Sequence, residues 1–136
     1  MKFTIPFDQC ASKRDKIKKW SGNRIALTDR YRNAKHDAHL TAYAQARERR
    51  WTAIPAERGV RVEFTVYFPS GRQKDPANYT EVLLDALEGV AYENDSQVID
   101  MCVRLGGYDR DDPRVEIVVE ESSRERPRPP SRQRRR

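Results

Sequence analysis

The chain has 136 residues, of which 37% are hydrophobic and 35% charged, and its mean hydropathy is -0.96. This length suits one domain with a small core, and no apolar run approaches the ~18 residues that a membrane span needs. The net charge of +6 is distributed in blocks: residues 1–74 carry a net +10, residues 75–121 a net -10, and residues 122–136, with seven arginines and one glutamate, a net +6. Such blocks favour a polyanionic partner and a place where carboxylates gather.

The first half of the chain predicts two short strands and a long helix. Residues 3–7 are typical of a strand, residues 8–24 of a polar, basic loop, and residues 24–27 of a brief second strand. Thr28 is a suitable N-cap for a helix that reaches about Arg50. Because the apolar face of this helix is thin and rich in alanine, we expect the helix to lie on a surface rather than in a core.

The middle of the chain predicts the clearest strand and the helix after it. Apolar and polar residues alternate over residues 60–68, which indicates a strand with one buried face. Asp75 and Pro76 are a good helix start, and Gly89 marks the end of that helix. Its apolar residues repeat at spacings of three and four, so one face should pack on a sheet.

The last part of the folded region predicts two more strands, residues 98–105 and 114–120, joined by a hairpin-like connection over residues 106–113. The residues from 122 to 136 are mostly Ser, Arg and Pro and are expected to be a disordered basic tail. Residues 1–121 should therefore form a single α+β domain, with one mixed sheet of about four to five strands packed with two helices.

Two cysteines, Cys10 and Cys102, form no CxxC motif and are too few for a disulfide framework. We expect two reduced thiols and a cytoplasmic location, in a bacterium or a phage-infected host cell. His36 and His39 are three positions apart but have no cysteine nearby, and they are interpreted as surface residues of a helix.

The residues that could carry chemistry lie between positions 72 and 100. Asp75 stands at a helix start, Glu81 and Asp85 follow on the polar face of that helix, and Asp95 comes in the turn after it. If these carboxylates converge at one sheet edge, they would suit Mg²⁺ or Mn²⁺, which can activate water and polarise a phosphodiester. Spacing alone also allows a purely structural interpretation. In it, Asp75 is a helix cap, Glu81 and Asp85 belong to a solvated helix face, and Asp95 is an ordinary turn residue.

Basic residues of the first half are candidates for binding a DNA backbone. Lysine and arginine neutralise phosphates, and an aromatic ring beside them can stack on a base. The predicted DNA-binding residues are Lys13, Arg14, Lys16, Lys18, Lys19, Trp20, Arg24, Arg72 and Lys74. A solvated loop with Trp20 in the core is the alternative interpretation.

The segment KDPANYTEVLLDALEGVAYENDSQVID, residues 74–100, resembles the RusA family of Holliday-junction resolvases. The family signature is Asp-x-Asp-Asn, a Lys one turn later, Asp-Ala-Leu further along the helix, and then Asp-Asp-x-Gln-Val. Pro6 and the sequence Ser12-Lys13-Arg14 extend the likeness, which covers about residues 3–121. The resemblance implies a RusA-like nuclease domain that binds four-way DNA junctions as a homodimer. It also implies a Mg²⁺-dependent endodeoxyribonuclease that makes paired symmetric nicks in recombination and repair.

The resemblance assigns roles to four residues of the segment. Asp75 matches the first catalytic aspartate of the family and Asp95 the last. Asn78 matches the asparagine that supports the motif, and Asp85 matches the aspartate on the helix.

Three residues depart from the family pattern: Ala77 replaces the second catalytic aspartate, Glu81 the lysine, and Asn94 the first of the paired aspartates. In one interpretation Glu81 supplies, from the next turn, the carboxylate that Ala77 lacks. The lost lysine charge is then replaced by Arg72, Lys74 or a second metal. In the other, the protein is a catalytically impaired junction- or nucleic-acid-binding protein of a phage or mobile element. A structural dimerisation module is a third possibility.

Overall fold

The computed structural model describes residues 1–19, 25–72 and 75–131. In chain order its strands and α-helices are β1 (Lys2–Pro6), β2 (Ile17–Lys19), β3 (Ile25–Leu27), α1 (Asp29–Glu48), β4 (Val60–Phe68), α2 (Thr80–Leu87), β5 (Val98–Tyr108) and β6 (Arg114–Glu121). Four strands form a sheet in the order β1-β6-β4-β5, and β2 and β3 form a separate antiparallel ribbon. Because β4 pairs with β5 in parallel and with β6 antiparallel, the sheet is mixed. The predicted single α+β domain is confirmed.

The strand predicted over residues 60–68 is β4, with the same bounds. Its alternation has a simple cause, because side chains of successive strand residues point to opposite faces of the sheet. The residues that point into the core and are buried are Val60, Val62, Phe64, Val66 and Phe68. The opposite face carries Arg61, Glu63, Thr65 and Tyr67, which stay at least partly exposed.

Two helices cover the core face of the sheet, as predicted. The side of α1 that packs on α2 and β1 is a seam of small residues that begins with one large ring, and its buried positions are Tyr31, Ala34, Ala38, Ala42 and Ala46. Alanine at every fourth position keeps one narrow stripe of the helix close to its neighbours. Leu40 and Tyr43, away from the seam, are each 52% exposed, as the thin apolar face of this helix leads us to expect.

Two expectations about the connections are wrong. Residues 106–113 are not a hairpin connection, because β4 lies between β5 and β6 in the sheet and β5 itself continues to Tyr108. Residues 8–24 are not loop throughout, since a 3₁₀ helix, Lys13–Asp15, is followed by β2. Because β2 is one isoleucine followed by two lysines, it lacks the alternation that marks a strand.

The last strand, β6, ends at Glu121, one residue beyond the strand predicted over residues 114–120. The predicted disorder of residues 122–136 stays a prediction, and residues 132–136 lie outside the described part of the chain. Among the residues that the structure describes, no helix has the length and apolar character needed to span a membrane.

Candidate active site

Asp75 begins the acidic helix segment. It caps a 3₁₀ helix, Pro76–Tyr79, that leads into α2, and its Oδ1 accepts a hydrogen bond of 3.1 Å from the backbone N–H of Ala77. Proline fits the first position of this helix because it has no N–H to satisfy there. Asp75 is exposed, and Asn78, next to it on the same 3₁₀ helix, is half-buried.

Glu81 lies in the first turn of α2, and its carboxylate is paired with the ammonium of Lys16. The hydrogen bond to Glu81, with smaller contributions from the charges of Glu81 and Asp85, raises the pKa of Lys16. The same ammonium lies 5.4 Å from the centroid of the Tyr31 ring, within the range of a cation–π interaction. Lys16 is thus held between a carboxylate and an aromatic face.

Asp85 follows Glu81 by one helical turn and accepts a hydrogen bond from the hydroxyl of Tyr31 on α1. Burial and the hydrogen bond to Asp85 both raise the pKa of Tyr31, so its hydroxyl stays protonated and keeps donating. The two carboxylates of α2 therefore have partners from α1 and from the segment before it.

Asp95 stands at the start of a 3₁₀ helix, Asp95–Gln97, and is exposed. Gln97 fixes this turn from inside the protein: its side chain is fully buried, and its Nε2 donates to the carbonyl oxygens of Ile54, Pro55 and Arg58 at 3.2, 2.7 and 3.1 Å. Its Oε1 accepts from the N–H of Asn94 at 2.8 Å, which completes a capping box. The position of Asp95 is therefore tied to the loop that precedes β4.

The structure places Asp75 and Asp95 at opposite ends of the sheet. Tyr79 comes four residues after Asp75, and its ring centroid lies 5.6 Å from that of Phe68, at the carboxyl end of β4. Asp95 instead precedes Val98, which pairs with Val60 at the amino end of β4. A strand of nine residues is about 26 Å long at a rise of about 3.3 Å per residue. The expectation that these carboxylates converge within one chain is wrong, because the chain crosses the whole sheet between them.

The basic loop lies beside the Asp75 end. Its 3₁₀ helix, Lys13–Asp15, contacts the 3₁₀ helix Pro76–Tyr79, and Ser12 caps it by accepting from the N–H of Arg14 at 3.3 Å. Thr28, the N-cap of α1, holds the same loop, since its N–H donates to the carbonyl oxygen of Lys16 at 2.9 Å and its hydroxyl donates to that of Asp15. The loop is therefore fixed against the start of α2.

The predicted DNA-binding residues divide into three groups. Lys13, Arg14, Lys18 and Arg72 are exposed, whereas Lys16 is half-buried in its ion pair. Lys19 ends β2. Three of the predicted residues, and the side chain of Lys19, lie outside the described part of the chain: Trp20, Arg24 and Lys74.

A groove of about 500 Å³ continues from Asp85 along α1. Its lining residues are Leu27, Arg32, Lys35, His36, His39, Asp85 and Glu88. His39 is half-buried and its Nδ1 donates to the carbonyl oxygen of Ala86 at 2.8 Å, so it serves as a structural residue, while His36 is exposed. The basic side chains here extend the positive surface of the loop onto α1.

The donor chemistry suits Mg²⁺, but one chain does not assemble a metal centre from the residues that the structure describes. Carboxylate oxygens are the ligands this ion prefers, and it commonly uses one or two of them together with waters and substrate phosphates. Within residues 1–19, 25–72 and 75–131, no group of three or more His, Cys, Asp or Glu side chains is placed to hold a metal ion. Asp75 and Asp95 are too far apart to share one.

Sequence reasoning missed two residues that organise the site. Tyr31 has the spacing of an ordinary core residue of α1, and its hydroxyl contact with Asp85 spans 54 positions. Gln97 is part of the quoted motif, but its role in holding three carbonyl groups is visible only in the fold.

An acidic helix, a basic loop docked at its start and a mixed sheet define a small α+β domain suited to act on a polyanion. The family model of endodeoxyribonuclease RusA matches residues 6–120. The chain therefore belongs to the RusA family, whose members are junction-resolving endodeoxyribonucleases. No curated protein matches the chain.

Proposed function

We propose that this protein is a Mg²⁺-dependent endodeoxyribonuclease that binds four-way DNA junctions as a homodimer and nicks two opposing strands symmetrically. The family match over residues 6–120 carries this proposal. The docking of the basic loop beside Asp75 supports it, because phosphate-binding cations then lie next to a candidate metal ligand. The test is nicking of a synthetic four-way junction with Mg²⁺ and with EDTA, with mapping of the cut positions on all four strands.

The proposed homodimer would bring together Asp75 and Asp95, which lie far apart within one chain. A two-fold axis through the middle of β5 would reverse the direction of this strand, so the Asp75 end of one chain would lie beside the Asp95 end of the other. Asp75 of one protomer and Asp95 of its partner would then hold Mg²⁺ in each of two equivalent sites. The bound ion would supply an activated water and stabilise charge on the cleaved phosphodiester.

The surface of β5 supports this dimer. Met101, Leu105 and Tyr108 lie on the face that continues the buried residues of β4, yet they are 52%, 43% and 54% exposed. Among the described strands of the main sheet, β5 is an edge strand and presents unpaired backbone groups there. A second copy of the chain would cover both the apolar stripe and the edge.

Within the proposed reaction, the chain's own side chains bind and orient the DNA. Lys13 and Arg14 would neutralise phosphates beside the cut strand, and the Glu81 pair would hold Lys16 at a fixed place in the same surface. This pairing supports a positioning role for Glu81. The alternative, which the sequence suggests, is that Glu81 and Asp85 are metal ligands. In that case Glu81 would have to break its ion pair with Lys16, and Asp85 its hydrogen bond with Tyr31, to reach an ion.

A second candidate function is junction binding without cleavage. Ala77 offers no carboxylate where the family has an aspartate, and Glu81 is already paired, so the site has fewer free oxygen ligands than the family pattern. Binding to junctions in EDTA with no nicking under any divalent ion would favour this candidate over the nuclease.

A further inference from the structure

The arginine-rich segment after β6 is anchored on the body of the protein at the turn that carries Asp95. Arg126 donates from Nη1 to the carbonyl oxygen of Ala56 at 2.7 Å and from Nη2 to the hydroxyl of Ser96 at 2.6 Å. Both acceptors belong to the region that Gln97 fixes. The guanidinium of Arg126 therefore lies next to the residue that follows Asp95 in the chain.

A second anchor lies closer to β6. The carboxylate of Asp100 accepts from the hydroxyl of Ser122 at 2.7 Å and from the guanidinium of Arg124 at 2.8 Å. The N–H of Ser122 donates to the carbonyl oxygen of Gly59 at 2.8 Å. A Cβ at Gly59 would lie 3.1 Å from the carbonyl oxygen of Arg124 and 2.6 Å from a side-chain carbon of Ile99, so a larger residue here would crowd both the segment and β5.

The sequence beyond these anchors is rich in proline and arginine. It reads Pro-Arg-Pro-Pro over residues 127–130, and proline-rich sequence favours the extended polyproline II conformation. Arg128 is exposed. Four further arginines follow in the sequence at positions 132, 134, 135 and 136.

We propose that the arginine-rich sequence after β6 is an arm that binds the DNA phosphate backbone beside the cut, and that its described part is held by Arg124 at Asp100 and by Arg126 at the Asp95 turn. The inference rests on the proposed function, because it takes the Asp95 turn as part of the cleavage site. Two guanidinium groups are used for anchoring, and the proposal assigns phosphate contacts to Arg128 and to the four arginines that follow it in the sequence. The arm adds affinity that is independent of DNA sequence and strongly dependent on salt.

The test is the salt dependence of DNA binding in EDTA, measured by fluorescence anisotropy on the full-length protein. One variant replaces the five arginines at positions 128, 132, 134, 135 and 136 with glutamine, and a matched control replaces the same five with lysine. Loss of two to five phosphate contacts makes the slope of log K against log salt shallower by about 2 to about 4.5. The lysine control keeps the wild-type slope, because it keeps all five positive charges.

An unchanged slope in the glutamine variant would overturn the proposal that these arginines bind DNA. Tighter binding of DNA by that variant would overturn it too, because it would show that the segment competes with DNA. Arg126→Gln tests the anchor separately, since it should weaken binding more than Arg128→Gln although each removes one charge. Equal effects of these two substitutions would contradict the anchor. Failure of the proposed function has a different signature, in which the salt slope responds as expected but no strand is nicked.

Discussion

Lys16 and Glu81, 65 positions apart in the sequence, form an ion pair that fastens the basic loop to the acidic helix α2. The side chain of Lys16 is 26% exposed and that of Glu81 45% exposed, so the pair lies at the edge of the protein surface. The hydrogen bond to Glu81 raises the pKa of Lys16, so the paired ammonium holds its proton more tightly than a free lysine does. The pair joins the basic loop, whose exposed cations we propose to bind phosphates, to the helical segment that follows Asp75.

The first prediction concerns a charge exchange across this pair. Lys16→Glu and Glu81→Lys should each weaken junction binding in EDTA and slow nicking, because two like charges then face each other. The double variant K16E/E81K should recover most of both properties, since it restores an ion pair at the same place. For a partly exposed pair we expect a coupling energy of about 0.5 to 1 kcal/mol in the double-mutant cycle.

The outcome for the double variant separates the two roles of Glu81. Recovery of binding together with nicking supports the positioning role. Recovery of binding without nicking would contradict it, because the carboxylate would then be needed at position 81 itself, as expected for a metal ligand. The pair of Lys2 with Glu116, which joins β1 to β6, is a suitable control, since exchanging those charges should change neither property.

The second prediction concerns Gln97. Gln97→Ala should lower the free energy of unfolding by about 2 to 4 kcal/mol, because it leaves buried carbonyl groups without a donor. Chemical denaturation measures this loss. Gln45→Ala is the matched control: Gln45 also bridges backbone groups, those of Thr4, but at an exposed place, so its loss should be much smaller. Equal losses for the two variants would contradict the clamp role of Gln97.

The third prediction concerns Asp100, whose pKa is lowered chiefly by the hydrogen bond from Ser122 and further by Arg124. A carboxyl whose pKa falls on folding stabilises the docked segment above its usual pKa of 3.8, and this contribution is lost as the pH falls through the lower, folded value. Carbon-detected NMR titration should place the pKa of Asp100 below 3.8. In Ser122→Ala the value should rise, and a value that does not move would contradict the docking.

The fourth prediction concerns the dimer. Leu105→Asp should shift the protein from dimer to monomer in light scattering and reduce junction nicking, because a charge then lies in the proposed apolar interface. Ile25→Asp is the control, since Ile25 is 67% exposed on the separate β2–β3 ribbon. A dimer that survives Leu105→Asp but dissociates with Ile25→Asp would contradict the assignment of the interface to β5.

Local patterns of the sequence predicted the elements well. The alternation of apolar and polar residues predicted both ends of β4 correctly. Thr28 and Asp75 cap their helices, as their residue types suggest. These features depend on neighbours within a few residues. Strand pairing does not depend on such neighbours alone: β5 pairs with β4 and not with β6, although the short connection between β5 and β6 has the sequence expected of a hairpin. The sequence of such a connection is the same whether the two strands are adjacent or lie on either side of a central strand.

The site was harder to predict than the fold for the same physical reason. The residue types of the acidic segment and of the basic loop were visible, but the partners of Glu81 and Asp85 come from Lys16 and Tyr31, more than 50 positions away. Sequence spacing alone could not show that α2 carries the chain from the Asp75 end of the sheet to the other end.

The central claim, that each cleavage site takes Asp75 from one protomer and Asp95 from the other, is tested most directly by complementation. Asp75→Asn and Asp95→Asn proteins should each bind junctions but not nick them, and Asp111→Asn, in an exposed loop, should nick normally. A purified heterodimer of the first two variants then contains one site with both substitutions and one intact site. We predict that it recovers about half of the wild-type nicking rate, one intact site of two. A heterodimer as inactive as either parent, while binding junctions normally, would contradict the shared site.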